Sequence, residues 1–415
     1  MTHPARSFAA FRHPEYRTFL IGNSLVMMAD NIEHVISYWI VFGKFHSPAL
    51  GGFAVIAHWV PYLLFSVPVG ALTDRIDPRR IIQAGVALFM LVSIAWGVLI
   101  WFDVLQPWHA AVLLILHGTS GVLWTPPSQV LVHDLVGPQL LPSAIRLNAT
   151  GRYLGMVGGP AVGAAILAIF GPALGIMVNA AIYLPLMIWL QRSRLRKPHV
   201  AGLASGAIRG LSDILATLRS IVGMQVVFAM TLLAGATSFL VGNSYQAQMP
   251  GFARDLGQDH ADFFYSMLLA ADAAGALAGG FILESRSLLA PKVRTTFVLV
   301  MLWCCALGGF ALVSGSGLPF AYELTLLLLF AAGFLELSFS SMAQTLVQMH
   351  APADVRGRVI GVYVMAGLGL RAFSGVTVGL GGSLVGIHWS LALSTLVLLA
   401  LTGALLARNG APRPA

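Results

Sequence analysis

Residues 68–80 read Pro68-Val-Gly70-Ala-Leu-Thr-Asp74-Arg75-Ile-Asp77-Pro78-Arg79-Arg80. Here carboxylates and three arginines crowd into a hinge too short to be a domain, with long apolar stretches on both sides. The composition says what those stretches are. Only 10% of the 415 residues are charged and 57% are hydrophobic, and the mean hydropathy is +0.82. A soluble domain carries about 25% charged residues, and a soluble fold of this length has no interior large enough for so much apolar surface. The 44 glycines and 21 prolines agree, since both are commoner in membrane helices than in soluble ones. Cys304 and Cys305 are adjacent, so they form no disulfide framework. The first 18 residues are polar and basic (Arg6, Arg12, Arg17) and lack a short apolar core with a small-residue cleavage site, so no cleaved leader is expected.

About 20 apolar residues are needed to cross roughly 30 Å of hydrocarbon. Twelve such spans are expected, near 18–43, 49–72, 80–102, 108–131, 147–170, 173–191, 221–248, 262–284, 295–314, 319–343, 358–384 and 387–407. The fold class that follows is an all-α polytopic membrane protein. Of the 24 Lys and Arg, Lys44 and Arg254 fall in outer loops and Arg371 in a span, which leaves 21 on the inner side if both termini are cytoplasmic. Such asymmetry sets orientation. It also accounts for the net charge of +8 without a nucleic-acid partner, because the basic residues are dispersed among apolar spans. The polar stretch 192–220 divides the chain into an N-terminal bundle (1–191) and a C-terminal bundle (221–415). Its later part, Ala207 to Arg219, is expected to form an amphipathic helix on the inner surface.

The halves echo each other. Gly70-x-x-x-Asp74 returns as Gly280-x-x-x-Glu284, and Gln129-Val-Leu-Val-His as Gln344-Thr-Leu-Val-Gln. The hinge, G-x-L-x-D-R-x-D-x-R-R, resembles the signature loop of the major facilitator superfamily in the form found in small bacterial exporters related to the enterobactin exporter. Gly155-Met-Val-Gly-Gly159-Pro160-Ala-Val-Gly163-Ala164 looks like that superfamily's antiporter motif, with Ala164 in place of the last glycine. Val347-Gln-Met-His-Ala-Pro-Ala-Asp-Val-Arg-Gly-Arg-Val-Ile-Gly and Phe11-Arg-His-Pro-Glu-Tyr-Arg17 extend the similarity over nearly the whole chain. The resemblance implies a secondary transporter of two six-helix bundles with a central substrate site.

The resemblance gives the hinge residues Gly70, Asp74, Arg75, Arg79 and Arg80 the role of a conformational latch. Asp74 is suited to accept hydrogen bonds from the backbone amides of a neighbouring helix start and from arginines. Asp134, Arg356 and Arg358 are candidate partners. The bland alternative is a solvated loop that only sets topology. Gly155, Gly159 and Gly163, four apart, form a smooth face for a neighbouring helix, and Pro160 bends the helix. The resemblance reads this as a contact biasing the carrier toward export; the alternative is ordinary small-residue packing.

Ionisable groups inside spans are expensive and mark function by default. Asp30 and His34, four apart, share one face of the first span and Glu33 borders it; two carboxyls this close do not both ionise easily in a low dielectric, so one of them is expected to titrate upward, toward the physiological range. His58 and His117 lie in the second and fourth spans. Drug–proton antiporters often carry Arg where this chain has His117, which either handles protons or is a neutral imidazole bonded between helices. Asp272, Glu336 and Arg371 lie in the C-terminal half, where Arg371 can pair with either acid, as coupling groups or as a structural ion pair.

The expected function is proton-coupled export of a small organic compound from the bacterial inner membrane by a monomer, with no resident cofactor or metal. A divalent-metal or metallophore exporter is the alternative, since Asp30, Glu33, His34 and His58 offer an O/N ligand set. An importer or uniporter of the same fold is another. No G-x-S-x-G or H-E-x-x-H points to an enzyme.

Overall fold

The computed structural model describes residues 7–45, 48–193, 211–242, 244–257, 261–286, 290–374, 378 and 381–410. Among them there is no strand, and fourteen α-helices follow one another. They are α1 (Pro14–Phe45), α2 (Pro48–Thr73), α3 (Pro78–Trp101), α4 (Pro107–Ile182), α5 (Leu184–Arg192), α6 (Leu211–Gly223) and α7 (Gln225–Leu240). Then come α8 (Ser244–Leu256), α9 (Ala261–Ser285), α10 (Val293–Ser314), α11 (Ala321–His350), α12 (Arg356–Gly367), α13 (Gly381–Val385) and α14 (Ile387–Gly410). Seven described helices are both long and apolar enough to cross a bilayer, one of them the 86-residue run Pro107–Arg192. α1 is not among them because Asn23, Asp30, Asn31, Glu33 and His34 lower its hydropathy. The surface is apolar where a soluble protein would be polar: Leu91 is 62% exposed and Ile169 72%. Lipid, not water, is the solvent such side chains fit.

Several expected span boundaries move. The helices expected at 108–131, 147–170 and 173–191 follow one another with hardly a loop between them, α4 being kinked at Gly137 (φ 68°) and Gly171 (φ 71°) and parted from α5 at Tyr183. Each glycine takes a positive φ with an extended ψ, a region open essentially to glycine alone, and is followed by a proline suited to start the next helix, Pro138 and Pro172. A single Gly-Pro pair thus replaces the loop expected after residue 131. The span expected over 221–248 breaks at Gly242 (φ 50°), and α8 continues to Leu256. The span expected over 358–384 is helical only to Gly367 before a 3-10 turn, Gly369–Phe373. Glycines at 367 and 369 are poor helix formers, which places the interruption. Of the amphipathic helix expected over Ala207 to Arg219, the described part is α6, Leu211–Gly223; residues 207–210 lie outside the described residues. Residues 194–210, the rest of 375–380 and both chain ends lie outside the described residues.

By packing, the chain forms two compact units. One contains Phe8–Ile221 and Ala351–Met365; the other contains Met1–Ser7, Val222–His350 and Ala366–Ala415. In the first unit a cluster around Tyr16, Phe19, Phe89, Trp124 and Tyr183 is buried among α1, α3, α4 and α5. Polar side chains pin this cluster: Trp124 Nε1 donates to Asn23 Oδ1 (2.9 Å) and Asn179 Nδ2 to the Ala29 carbonyl (2.9 Å). Both bonds end on α1, which carries the acidic face.

Candidate functional site

In the first unit, Glu33 is 1% exposed, Asp30 7% and His117 3%. His117 Nδ1 lies 2.8 Å from Glu33 Oε1, and Ser93 of α3 donates its hydroxyl to Glu33 Oε2. His117 Nε2 lies 2.9 Å from Asp30 Oδ1, a charge contact rather than an aligned hydrogen bond. An imidazole therefore sits between two carboxyls. His34 Nδ1 is 3.8 Å from Asp30 Oδ2, and His34 Nε2 is 3.2 Å from His58 Nδ1. Phe89 closes one side of His117, edge to face at 5.0 Å between ring centres.

Backbone approach makes this convergence possible. A Cβ on Gly118, the neighbour of His117, would run into the Ala57 carbonyl next to His58. α1 is drawn in by the glycine row on α4. A Cβ on Gly155 would stand 2.8 Å from Ser24 O, on Gly159 2.5 Å from Asn31 Cβ and on Gly163 3.3 Å from Ile32 Cα. The Gly155/Gly159/Gly163 face thus packs on the segment of α1 that carries Asp30 and Glu33, while Pro160 points away and is exposed.

The hinge is also a close crossing. Asp74 Oδ1 accepts from the Gly357 amide (2.6 Å) and Oδ2 from the Arg358 amide (3.2 Å), so Asp74 caps the first turn of α12. Gly70 and Gly357 lie face to face, each leaving no room for a Cβ against the other's carbonyl. Arg358 Nε is 3.9 Å from Asp74 Oδ2. Of the hinge arginines, Arg79 bonds Asp77, the N-cap of α3, and the Ser193 carbonyl (2.6 Å) rather than Asp74. Arg75 and Arg80 flank it in the same hinge. Arg356 Nη1 donates to His133 Nδ1 (3.2 Å), and His133 is 3.6 Å from Asp134. Burial pushes the Asp74 carboxyl up to about 6, against the opposite pull of the two amides and of Arg358.

In the second unit, the Tyr245 hydroxyl of α8 reaches both Asp272 Oδ2 (3.2 Å) and Glu336 Oε2 (3.4 Å). Gln246 Nε2 adds a bond to Asp272 (3.0 Å). Gly333, one turn before Glu336, lets α11 touch the backbone at Asp272. Arg371 sits in the 3-10 turn Gly369–Phe373. Ser93 and Gly357 carry no site signal in the sequence, whereas Tyr245 and Gln246 belong to the polar patch 243–248, which the sequence offers as a pathway lining. The small residues Ser66/Gly70 and Gly357/Gly361, spaced four apart, carried the signal for the α2–α12 crossing.

A family model described as transmembrane secretion effector matches residues 5–412. The chain belongs to this family of major facilitator transporters. Members of the family are transporters, not enzymes, and span the membrane many times. The chain is 27% identical to the multidrug resistance protein MdtG of Serratia proteamaculans over 41% of its own length and 42% of the relative's. It is 24% identical to the staphyloferrin A transporter of Staphylococcus aureus over 40% and 42%. The alignments therefore span less than half of either relative. Among solved structures, the fucose:proton symporter FucP of E. coli superposes with a TM-score of 0.73 at 14% identity, covering 97% of this chain and all of that one. A bacterial homologue of the iron transporter ferroportin gives 0.67 at 17% identity over 95% and 98%. At these identities the likeness is one of fold.

Proposed function

We propose that this secretion-effector family member exports a small organic compound in exchange for protons, as an inner-membrane monomer with both termini cytoplasmic and its two bundles at 1–191 and 221–415. The observation that carries the coupling is the Asp272–Tyr245–Glu336 group, two carboxyls on one hydroxyl inside apolar helices. Such a pair holds one proton between its members and releases it when the site is hydrated. Arg371, from the same unit, supplies a counter-charge in the cycle. The α1 group of Asp30, Glu33, His34 and His117 contacts cargo or coupling ion. Asp74 with Gly70, Arg75, Arg79 and Arg80 forms a latch made in one state and released in another. Export over import is supported by the Gly155–Gly163 pattern and by relatives named for multidrug resistance, and a small organic cargo by a relative named as a staphyloferrin A transporter.

The test is transport in proteoliposomes with an imposed pH gradient, using a panel of drugs and siderophores chosen by accumulation in cells with and without the protein. Transport is expected to follow the gradient and to fall at least about tenfold in Asp272→Asn, a loss of about 1.4 kcal/mol or more in the driven step. Substrate counterflow, which needs no net proton movement, is expected to survive in that variant. Gradient-independent uptake by the wild type would reject the coupling.

A further inference from the structure

The α1 group holds more nitrogen than an acid relay requires. His34 on α1, His58 on α2 and His117 on α4 each present a ring nitrogen, and these three atoms all lie within 4.8 Å of one another. Ring centres are 4.7 Å apart for His34–His58 and 4.8 Å for His34–His117. Three imidazoles from three helices, in a protein with 12 histidines, converge where apolar side chains would pack more cheaply.

We infer that His34, His58 and His117, with the Asp30 carboxylate as fourth ligand, bind one divalent transition-metal ion of the zinc, cobalt or nickel kind. Glu33 is the reason for choosing this over a simple chain of imidazoles. Its Oε1 takes the Nδ1 side of His117 at 2.8 Å, while Ser93 holds its other oxygen. A carboxylate behind a ligating histidine sets the tautomer and ring orientation, and here it leaves Nε2 facing Asp30. That Nε2 is buried and has no aligned hydrogen-bond partner. In a tetrahedral site with bonds of about 2.0–2.1 Å, ligand atoms stand about 3.3 Å apart. The His34–His58 pair is already at 3.2 Å and the Asp30–His117 pair at 2.9 Å, so ring rotations close the rest. The donor set is imidazole and carboxylate without sulfur, because both cysteines lie on α10 in the other unit. Such donors select borderline divalent ions over Cu(I) on one side and Ca2+ on the other. His34 and His58 are only half-buried, which leaves the ion a route to its ligands.

This inference uses the cluster that the functional proposal assigns to cargo or coupling ion, but it needs no proton coupling. The experiment is a titration of full-length, detergent-purified protein with bare Co2+, followed by visible d–d absorption, and with bare Zn2+, followed by calorimetry. One equivalent is expected to bind saturably, with the intense visible bands of tetrahedral cobalt. Affinity is expected to fall at least tenfold in His58→Gln and in His34→Gln, two half-buried positions where glutamine preserves bulk and polarity. Unchanged melting curves certify their folding. Glu33→Gln, a positioning change, is expected to weaken binding while keeping the spectrum. Absence of saturable binding by the wild type, or binding indifferent to both histidine variants, overturns the inference. No gradient exists in detergent, so a protein that binds metal but ignores the pH gradient refutes only the proton reading, and the reverse result refutes only the metal site.

Discussion

A chain carrying Gly357→Val is expected to lose transport altogether and to melt well below the wild type. A Cβ at 357 would collide with the Gly70 carbonyl and stand 2.6 Å from Asp74 Oδ1. The obstacle is backbone on one side and a buried carboxyl on the other, so no flexible side chain can move aside. Overpacking of this kind costs roughly 1–3 kcal/mol or more. Pushing α12 away also removes the cap on its first turn, worth about 1 kcal/mol. Asp74→Asn separates the two effects, because it keeps the volume and changes the charge. Burial raises the acid of Asp74 from 3.8 to about 6, so this folded state binds more protons than one with Asp74 in water. The penalty for the buried ion is fully present above pH 6. It disappears progressively as pH falls from 6 toward 3.8, and the contact gains at most about 3 kcal/mol over that window. Arg358, Arg356 and Asp354 face the same carboxyl, and all three are unchanged in Asp74→Asn. The melting temperature of wild type minus that of Asp74→Asn is thus expected to rise as pH falls through 6. A flat difference would show that the carboxyl stays hydrated and that the α2–α12 cap is not formed in solution.

How much of this was legible depends on whether the signal was local. The class followed from charge and hydropathy, because a chain with 10% charged residues has few other solvents open to it. The hinge was legible because Asp74 follows an apolar helix end and precedes Pro78, which starts α3. Its partner was half legible: backbone amides of a helix start were expected for Asp74, and the Arg356-Gly-Arg segment for its arginines, but not that the Gly357 and Arg358 amides are those donors. Amides carry no residue-type signature, so only the Gly70/Gly357 spacing could have exposed it. The break at Gly171 falls between the expected spans 147–170 and 173–191, whereas the one at Gly137 is a bare Gly-Pro pair with no polar loop to mark it. The Asp30–His34 face came from helical periodicity, which fixes neighbours within one helix. Periodicity says nothing about Ser93, sixty residues away on α3, whose hydroxyl reaches Glu33. The meeting of Asp272 with Glu336 through Tyr245 is likewise a three-helix event, and single-span reasoning gave the acids without their bridge.

The second large effect is expected at Gly159. In Gly159→Leu the first added carbon would stand 2.5 Å from Asn31 Cβ and 3.0 Å from the Met28 carbonyl. α1 must move outward to admit the rest of the side chain. Asn31 lies between Asp30 and Glu33, so the displacement carries both acids away from His117, whose contacts with them are 2.9 and 2.8 Å. A shift of about 1 Å in such a group is enough to lower activity on the order of a hundredfold. The neighbouring positions give a graded control. Gly155→Ala meets α1 backbone at 2.8–2.9 Å and is expected to cost roughly 1–3 kcal/mol, whereas Gly163→Ala meets Ile32 Cα at 3.3 Å, a tight contact that a few tenths of an ångström relieve, and is expected to cost less. Gly159→Ala combined with Asn31→Gly removes the closest Cβ pair and is expected to recover part of the lost transport, less about 1 kcal/mol of stability for glycine within a helix. Transport rates and melting curves across these four variants decide the matter. If Gly159→Leu transports as the wild type does, the glycine face is generic packing and does not hold α1 at the site.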